Sequence, residues 1–166
     1  PTSALPVWRL VYLGSPAVAV PRLDALHGAG HEVVLVLTSP DRRRGRRSAP
    51  TPTPVAARAA ELGIPVSHDL EVVADCGADL GVVVAFGRIV PVELLARVPM
   101  VNLHFSLLPR WRGAAPVERA LLAGAPTTGV CLTDLAQGPD AGDVHPRVEN
   151  PQVGRAAGRG SVADLG

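Results

Sequence analysis

Apolar residues fall along this chain in short continuous runs, separated by stretches in which they recur at helical spacing. Arg9 to Leu13 is rich in strand formers and stops at Gly14-Ser15-Pro16, a strand followed by a turn. From Ala17 to Ala29, Val20, Leu23 and Leu26 share a helical face, with Gly28 and Gly30 as a C-terminal stop. His31 to Thr38 is almost wholly apolar, as an interior parallel strand should be. Together these segments predict a βαβ unit with a right-handed crossover.

The same alternation continues. Val55 to Leu62 predicts a short Ala-rich helix closed by Gly63, Ile64 to Val66 a small strand, and Leu70 to Cys76 two helical turns. Leu80 to Ala85 predicts a buried strand, Val92 to Ala96 a helix and Met100 to Phe105 a strand. Beyond these come a helix from Pro116 to Ala123 and strands from Thr128 to Thr133 and Val144 to Val148. Strands alternating with helices predict an α/β domain, a Rossmann-like open, mostly parallel twisted sheet with helices on both faces. Residues 39–54 break the pattern: SPDRRRGRRSAPTPTP has no apolar period and reads as an exposed, mobile, Arg/Pro-rich loop. Loops longer than about 12–15 residues in compact domains are usually functional or disordered.

Composition sharpens this picture. At 166 residues the chain suits one domain, residues 1–166. With 47% hydrophobic residues but only 3% aromatic, the core must be built from Val, Leu and Ala. Cys76 and Cys131 belong to no CxxC or Cys/His cluster, so neither a disulfide framework nor a zinc site is expected, and a reducing cytoplasm fits. No apolar run is long enough to span a membrane, and Pro1 to Val7 does not read as a secretory signal. A net charge of +1 predicts no nucleic-acid partner by itself. Its distribution does more: all 16 basic residues are Arg, and five of them lie between Arg42 and Arg47.

Several enzyme classes can be set aside. Gly28-Ala29-Gly30 ends a helix rather than following a strand, and Gly14-Ser15-Pro16 lacks GxGxxG spacing, which disfavours a nicotinamide or flavin role. There is no P-loop, HExxH or GxSxG sequence. What remains is Asn102 and His104, two positions apart at the end of an apolar strand and therefore on one face. Ligands of open α/β sheets gather at such carboxyl ends. A satisfied buried His104 and a turn-capping Asn102 are the bland alternative. Pro109 stiffens the loop that follows, and Arg110, Trp111 and Arg112 crowd beside it, suiting ligand or nucleic-acid contact. Trp111 could equally be a lid on the core. Asp140 lies in the turn-forming stretch Gln137 to Asp143, which could carry a carboxylate back over His104; Asp is also an ordinary turn residue.

Asn-x-His, then Ser-Leu-Leu-Pro from Ser106, then Asp140-Ala141-Gly142 resembles the signature of the folate-dependent formyltransferases. The form SLLPRWRGAAP is similar to the methionyl-tRNA branch of that family. Leu13 to Pro16, Val83 to Gly87 and the basic stretch from Thr38 to Arg46 resemble its first strand turn, a strand end and a long basic loop. The resemblance runs from about Arg9 to about Glu149. It implies that the formyl group of 10-formyltetrahydrofolate passes to the α-amine of initiator methionyl-tRNA, without a metal. It also implies Asn102, His104 and Asp140 as catalytic residues. Phe86, Gly87, Arg88, Ile89, Ser106, Leu107, Leu108 and Pro109 would contact the folate. Arg42, Gly45, Arg46, Arg110 and Arg112 would contact tRNA. A cytoplasmic monomer with no membrane partner is expected.

Three departures accompany the resemblance. The family's C-terminal barrel domain is expected to be absent, residues 150–166 match the family poorly, and the segment between Val66 and Leu80 is short, so one crossover helix should be clipped. Three alternatives stay open: an N-formyltransferase acting on an amino sugar or other small amine, a weak or inactive folate-binding remnant, and a plain nucleic-acid-binding module.

Overall fold

The computed structural model describes residues 7–104, 128–135 and 144–150. Strand β1 (Arg9–Gly14) leads through one 3-10 turn (Ala17–Ala19) into α1 (Val20–Gly28) and β2 (Glu32–Leu37). Then come β3 (Arg42–Arg43), β4 (Pro50–Thr51), α2 (Pro54–Glu61), β5 (Val66–Ser67) and a 3-10 helix (Leu70–Asp75). The described part is completed by β6 (Leu80–Val84), α3 (Val92–Arg97), β7 (Met100–His104), β8 (Thr128–Asp134) and β9 (Val144–Asn150). The helix expected from Pro116 to Ala123 lies outside the described residues.

Seven strands form one sheet in the order β5-β2-β1-β6-β7-β8-β9. The first five are parallel; β8 runs antiparallel to β7, and β9 to β8. The sheet is thus mostly parallel, and both its faces are covered. On one, Tyr12, Val36 and Val84 of the strands meet Leu23 of α1 and Val55 and Ala59 of α2. On the other, Val11, Leu13, Leu35, Leu37 and Val83 meet Val73 of the 3-10 helix and Leu94 of α3. Each such aliphatic side chain, taken out of water, contributes about 1.5–3 kcal/mol.

A bulge decides which residues of β2 face which side. Leu10 pairs with Val33 but Val11 pairs with Leu35, so Val34 is an extra residue. Val33 and Val36, three positions apart, therefore both join the α1–α2 side, while Leu35 and Leu37 join the other. The sequence around α2 is equally explicit: Thr53 caps it, its Oγ1 accepting the Ala56 N–H at 3.1 Å, and Pro54 opens the first turn. Arg58 of α2 holds Asp24 of α1 at 2.7 Å and Glu61 at 2.6 Å, exposed ion pairs of small energetic weight.

Residues 39–54 are exposed but not structureless: Arg42 pairs with Thr51 and Arg43 with Pro50, antiparallel. The Ser48 N–H and Oγ both bond to the Gly45 carbonyl, at 3.2 and 3.0 Å, and that turn brings the two arms together. Strands of two residues are too short to carry an alternating apolar pattern, so periodicity could not show them. The crossover from β5 to β6 carries a 3-10 helix, Leu70–Asp75, rather than an α-helix.

Candidate functional site

The chain order of the strands reverses beside β1. From β1 the chain steps outward to β2 and β5, then returns to the other side of β1 as β6. The connections leaving the carboxyl ends of β1 and β6 therefore diverge, and the crevice between them is where open α/β sheets bind ligands. Gly14 brings the two strand ends together: a Cβ there would lie 2.7 Å from the Val84 carbonyl oxygen.

The loop after β6 is shaped by two left-handed residues. Ala85 has φ 50°, a conformation that costs a residue with a Cβ about 1–3 kcal/mol, and Gly87 has φ 77°. Between them Phe86 turns into the core, only 4% exposed, whereas Ile89 is 91% exposed and Val90 is buried again. Arg88 sits over the Phe86 ring, its guanidinium carbon 5.5 Å from the ring centroid, and its Nη1 donates to the His68 carbonyl at 2.9 Å. Of the four residues expected in this loop to meet a folate, Gly87, Arg88 and Ile89 are exposed and Phe86 is a core residue.

Asn102 and His104 occupy the carboxyl half of β7, next to β6. Asn102 is opposite Val83 of β6 and Thr133 of β8, and it is half-buried; His104 is the last residue of the strand, opposite Cys131. The sheet thus places both positions at the same edge as the β6 loop. Ser106, Leu107, Leu108, Pro109, Arg110, Arg112 and Asp140 lie outside the described residues. Arg42, Gly45 and Arg46 lie on the β3–β4 hairpin, and all three are exposed. Among the described residues, none of the hairpin arginines forms an ion pair.

Sequence reasoning missed a polar chain on the same edge. Ser15, Thr38, Ser39 and Thr53 are linked through their side chains: Thr38 donates to Ser15 at 3.2 Å, Ser15 to Ser39 at 3.1 Å, and Thr38 and Thr53 are 2.6 Å apart. The signal was present, since Ser15 and Thr38 each follow a strand end directly and Thr53-Pro54 is a helix-capping pair. A shallow depression of about 270 Å³ lies between the 3-10 helix and α3, lined by Leu70, Glu71, Ala74, Pro91, Glu93, Leu94 and Arg97. It contains none of the candidate site residues.

An open sheet with polar positions gathered at its carboxyl edge, beside the reversal of strand order, has the arrangement at which α/β domains generally take ligands. Residues 8–151 match the formyl transferase family, and the chain belongs to that family. It is 48% identical over 160 residues to a methionyl-tRNA formyltransferase of Rhizorhabdus wittichii, covering 90% of this chain and 52% of the relative. The chain spans about half the length of the curated relatives it matches. Its fold is that of a phosphoribosylglycinamide formyltransferase from Campylobacter jejuni, with a TM-score of 0.74 at 18% identity over 98% of this chain and 93% of the other. HypX from Aquifex aeolicus, solved in complex with tetrahydrofolic acid, matches with a TM-score of 0.61 at 18% identity, over 88% of this chain and 22% of that one. At such identities the two structures speak for the fold alone.

Proposed function

We propose that this chain carries the formyl-transfer site of a methionyl-tRNA formyltransferase, moving the formyl group of 10-formyltetrahydrofolate to the α-amine of initiator methionyl-tRNA. The observation that carries the reading is the 48% identity to the Rhizorhabdus wittichii protein of that name across 90% of the chain. The amine nitrogen attacks the formyl carbon, and the carbonyl oxygen takes up the negative charge. When the C–N bond to the folate breaks, the nitrogen that leaves regains a proton and the new amide keeps the formyl group. Asn102 and His104 supply donors to the oxyanion, and preorganised donors of this kind are worth roughly a hundredfold to a thousandfold in rate. Asp140 holds His104 in the charged or properly oriented form and helps to relay the proton that the amine loses.

The exposed Ile89, with open space beside Gly87, offers an apolar and uncrowded surface for the pterin ring; Ser106 to Pro109 would contact the folate as well. Arg42, Gly45 and Arg46 on the hairpin, with Arg110 and Arg112, contact the tRNA backbone, where each neutralised phosphate adds to the salt dependence of binding. A cytoplasmic monomer goes with this reading. Among the described residues, no helix is long and apolar enough to cross a membrane.

The test offers methionyl-tRNA and free amino sugars in parallel, with 10-formyltetrahydrofolate as donor. Formylation of the charged tRNA is the expected result. Transfer to the sugar alone, or none from a chain that binds folate, would refute the proposal.

A further inference from the structure

We propose that Thr38 is a positioning residue, the joint that fixes the arginine hairpin to the carboxyl edge of the sheet and links it to the loop after β6. Its functional consequence rests on the tRNA reading above; its geometry does not.

Thr38 is the first residue beyond β2, and its side chain is wholly buried. Its backbone N–H donates to the Ser67 carbonyl at 3.1 Å. Its own carbonyl lies 3.0 Å from His68 Nδ1, and because a carbonyl can only accept, that nitrogen carries the proton. Its hydroxyl donates to Ser15 Oγ at 3.2 Å, and a hydroxyl has one proton to give. The 2.6 Å contact with Thr53 must then run from Thr53 to Thr38. A directed chain results, Thr53 to Thr38 to Ser15 to Ser39.

That chain closes the base of the hairpin. Ser39 and Thr53 are the two residues at which the exposed stretch 40–52 enters and leaves. Ser39 is also held by its N–H to Ser15 Oγ at 3.0 Å, and the Val55 N–H reaches the Ser15 carbonyl at 3.3 Å. Among the described residues, the hydrogen bonds of 40–52 stay inside the hairpin, so its direction is set at this base. On the other side, His68 passes the connection on: its carbonyl accepts from Arg88 in the loop after β6. One buried threonine therefore stands between the arginines that would meet an RNA backbone and the loop that would meet the formyl donor.

The test compares Thr38→Val, which replaces the hydroxyl by a methyl group of the same size, with Thr38→Ser, which keeps it. Tryptic cleavage between Arg42 and Arg47 in the folded chain reports how firmly the hairpin is held. Formylation kinetics separate KM for methionyl-tRNA from KM for 10-formyltetrahydrofolate and from kcat. With Thr38→Val, cleavage should quicken by roughly threefold to tenfold, the effect of losing a buried hydrogen bond, and KM for the tRNA should rise by a similar factor. The kcat value should hold, and Thr38→Ser should restore both quantities. If Thr38→Val does not fold, Ser15→Ala severs the same chain at a half-buried position and carries the same expectation. Wild-type cleavage rates in Thr38→Val or Ser15→Ala would overturn the proposal, as would a Thr38→Ser chain as loose as Thr38→Val. If Arg42→Ala/Arg46→Ala left KM for the tRNA unchanged while Thr38→Val still loosened the hairpin, the joint would stand and the tRNA reading would fall.

Discussion

Asn102 stands opposite Val83 across the β6–β7 pairing and opposite Thr133 across the β7–β8 pairing, in a row that continues through Leu13 to Leu37. Directly paired residues share a face of the sheet. Leu37, Leu13 and Val83 are buried aliphatics, and the row then gives way to a half-buried amide. On the reading proposed above, the amide is there for its donors. Asn102→Ala should lower single-turnover formyl transfer by roughly a hundredfold to a thousandfold, the range for loss of one oxyanion donor. The same change should cost no more than about 1–3 kcal/mol of stability. A mutant that transfers at the wild-type rate would remove Asn102 from the catalytic set.

The loop after β6 holds strain that two substitutions can separate. Gly87 has φ 77° and nothing within 4 Å of where a Cβ would stand, so Gly87→Ala tests backbone conformation without a clash. It should destabilise by about 1–2 kcal/mol. Ala85 already pays that cost at φ 50°, so Ala85→Gly should be neutral or slightly stabilising although glycine is usually the worse choice in a folded chain. Urea midpoints of the two variants check this. If Ala85→Gly destabilised as much as Gly87→Ala, the left-handed turn would not be where the strain lies.

The layered α/β fold was legible because its interior strands are almost unbroken apolar runs, as β2 and β6 show, alternating with helical segments that can cover both their faces. The Asn102/His104 spacing was legible for the same reason: a strand has period two, so spacing gives position on a face. The hairpin at Arg42 was not, since its strands are too short to show a period and its closure depends on a turn stabilised by Ser48. Phe86 shows a different limit. Motif position placed it among ligand contacts, but whether a side chain at a strand end faces the ligand or the core depends on φ at Ala85, which sequence does not display. The Ser15, Thr38 and Thr53 chain joins residues far apart in sequence, and only the sheet order shows that their strand ends are neighbours.

Arg22 is 8% exposed on α1, and its Nε and Nη2 have no hydrogen-bond partner among the described residues. Unpaired buried donors cost about 1–3 kcal/mol, more on a charged group. Arg22→Met keeps an unbranched apolar stem and removes the donors, so it should stabilise the chain by at least about 1 kcal/mol, seen as a rise of a few degrees in Tm. A fall in Tm would show that the guanidinium has an anionic partner after all.

Tyr12 gives the chain an alkaline limit. It is the one tyrosine, it is wholly buried, and its hydroxyl donates to the Ala19 carbonyl at the foot of α1. Burial pushes its phenol well above the ordinary 10.0; the positive charge of Arg22 works against that shift and Asp24 adds to it. Above pH 10 the unfolded chain releases a proton that the folded chain keeps, so the unfolded state binds fewer protons and stability falls as pH rises. Tyr12 should leave stability unchanged below about pH 10 and lower it by up to about 1.4 kcal/mol per pH unit above. Urea midpoints taken from neutral to about pH 11 should show this limb in the wild type and lose it in Tyr12→Phe. In the native protein, phenolate absorbance should lag behind that of the unfolded chain; a phenol that titrates at its ordinary value while the protein stays folded would show that Tyr12 is not sealed from water.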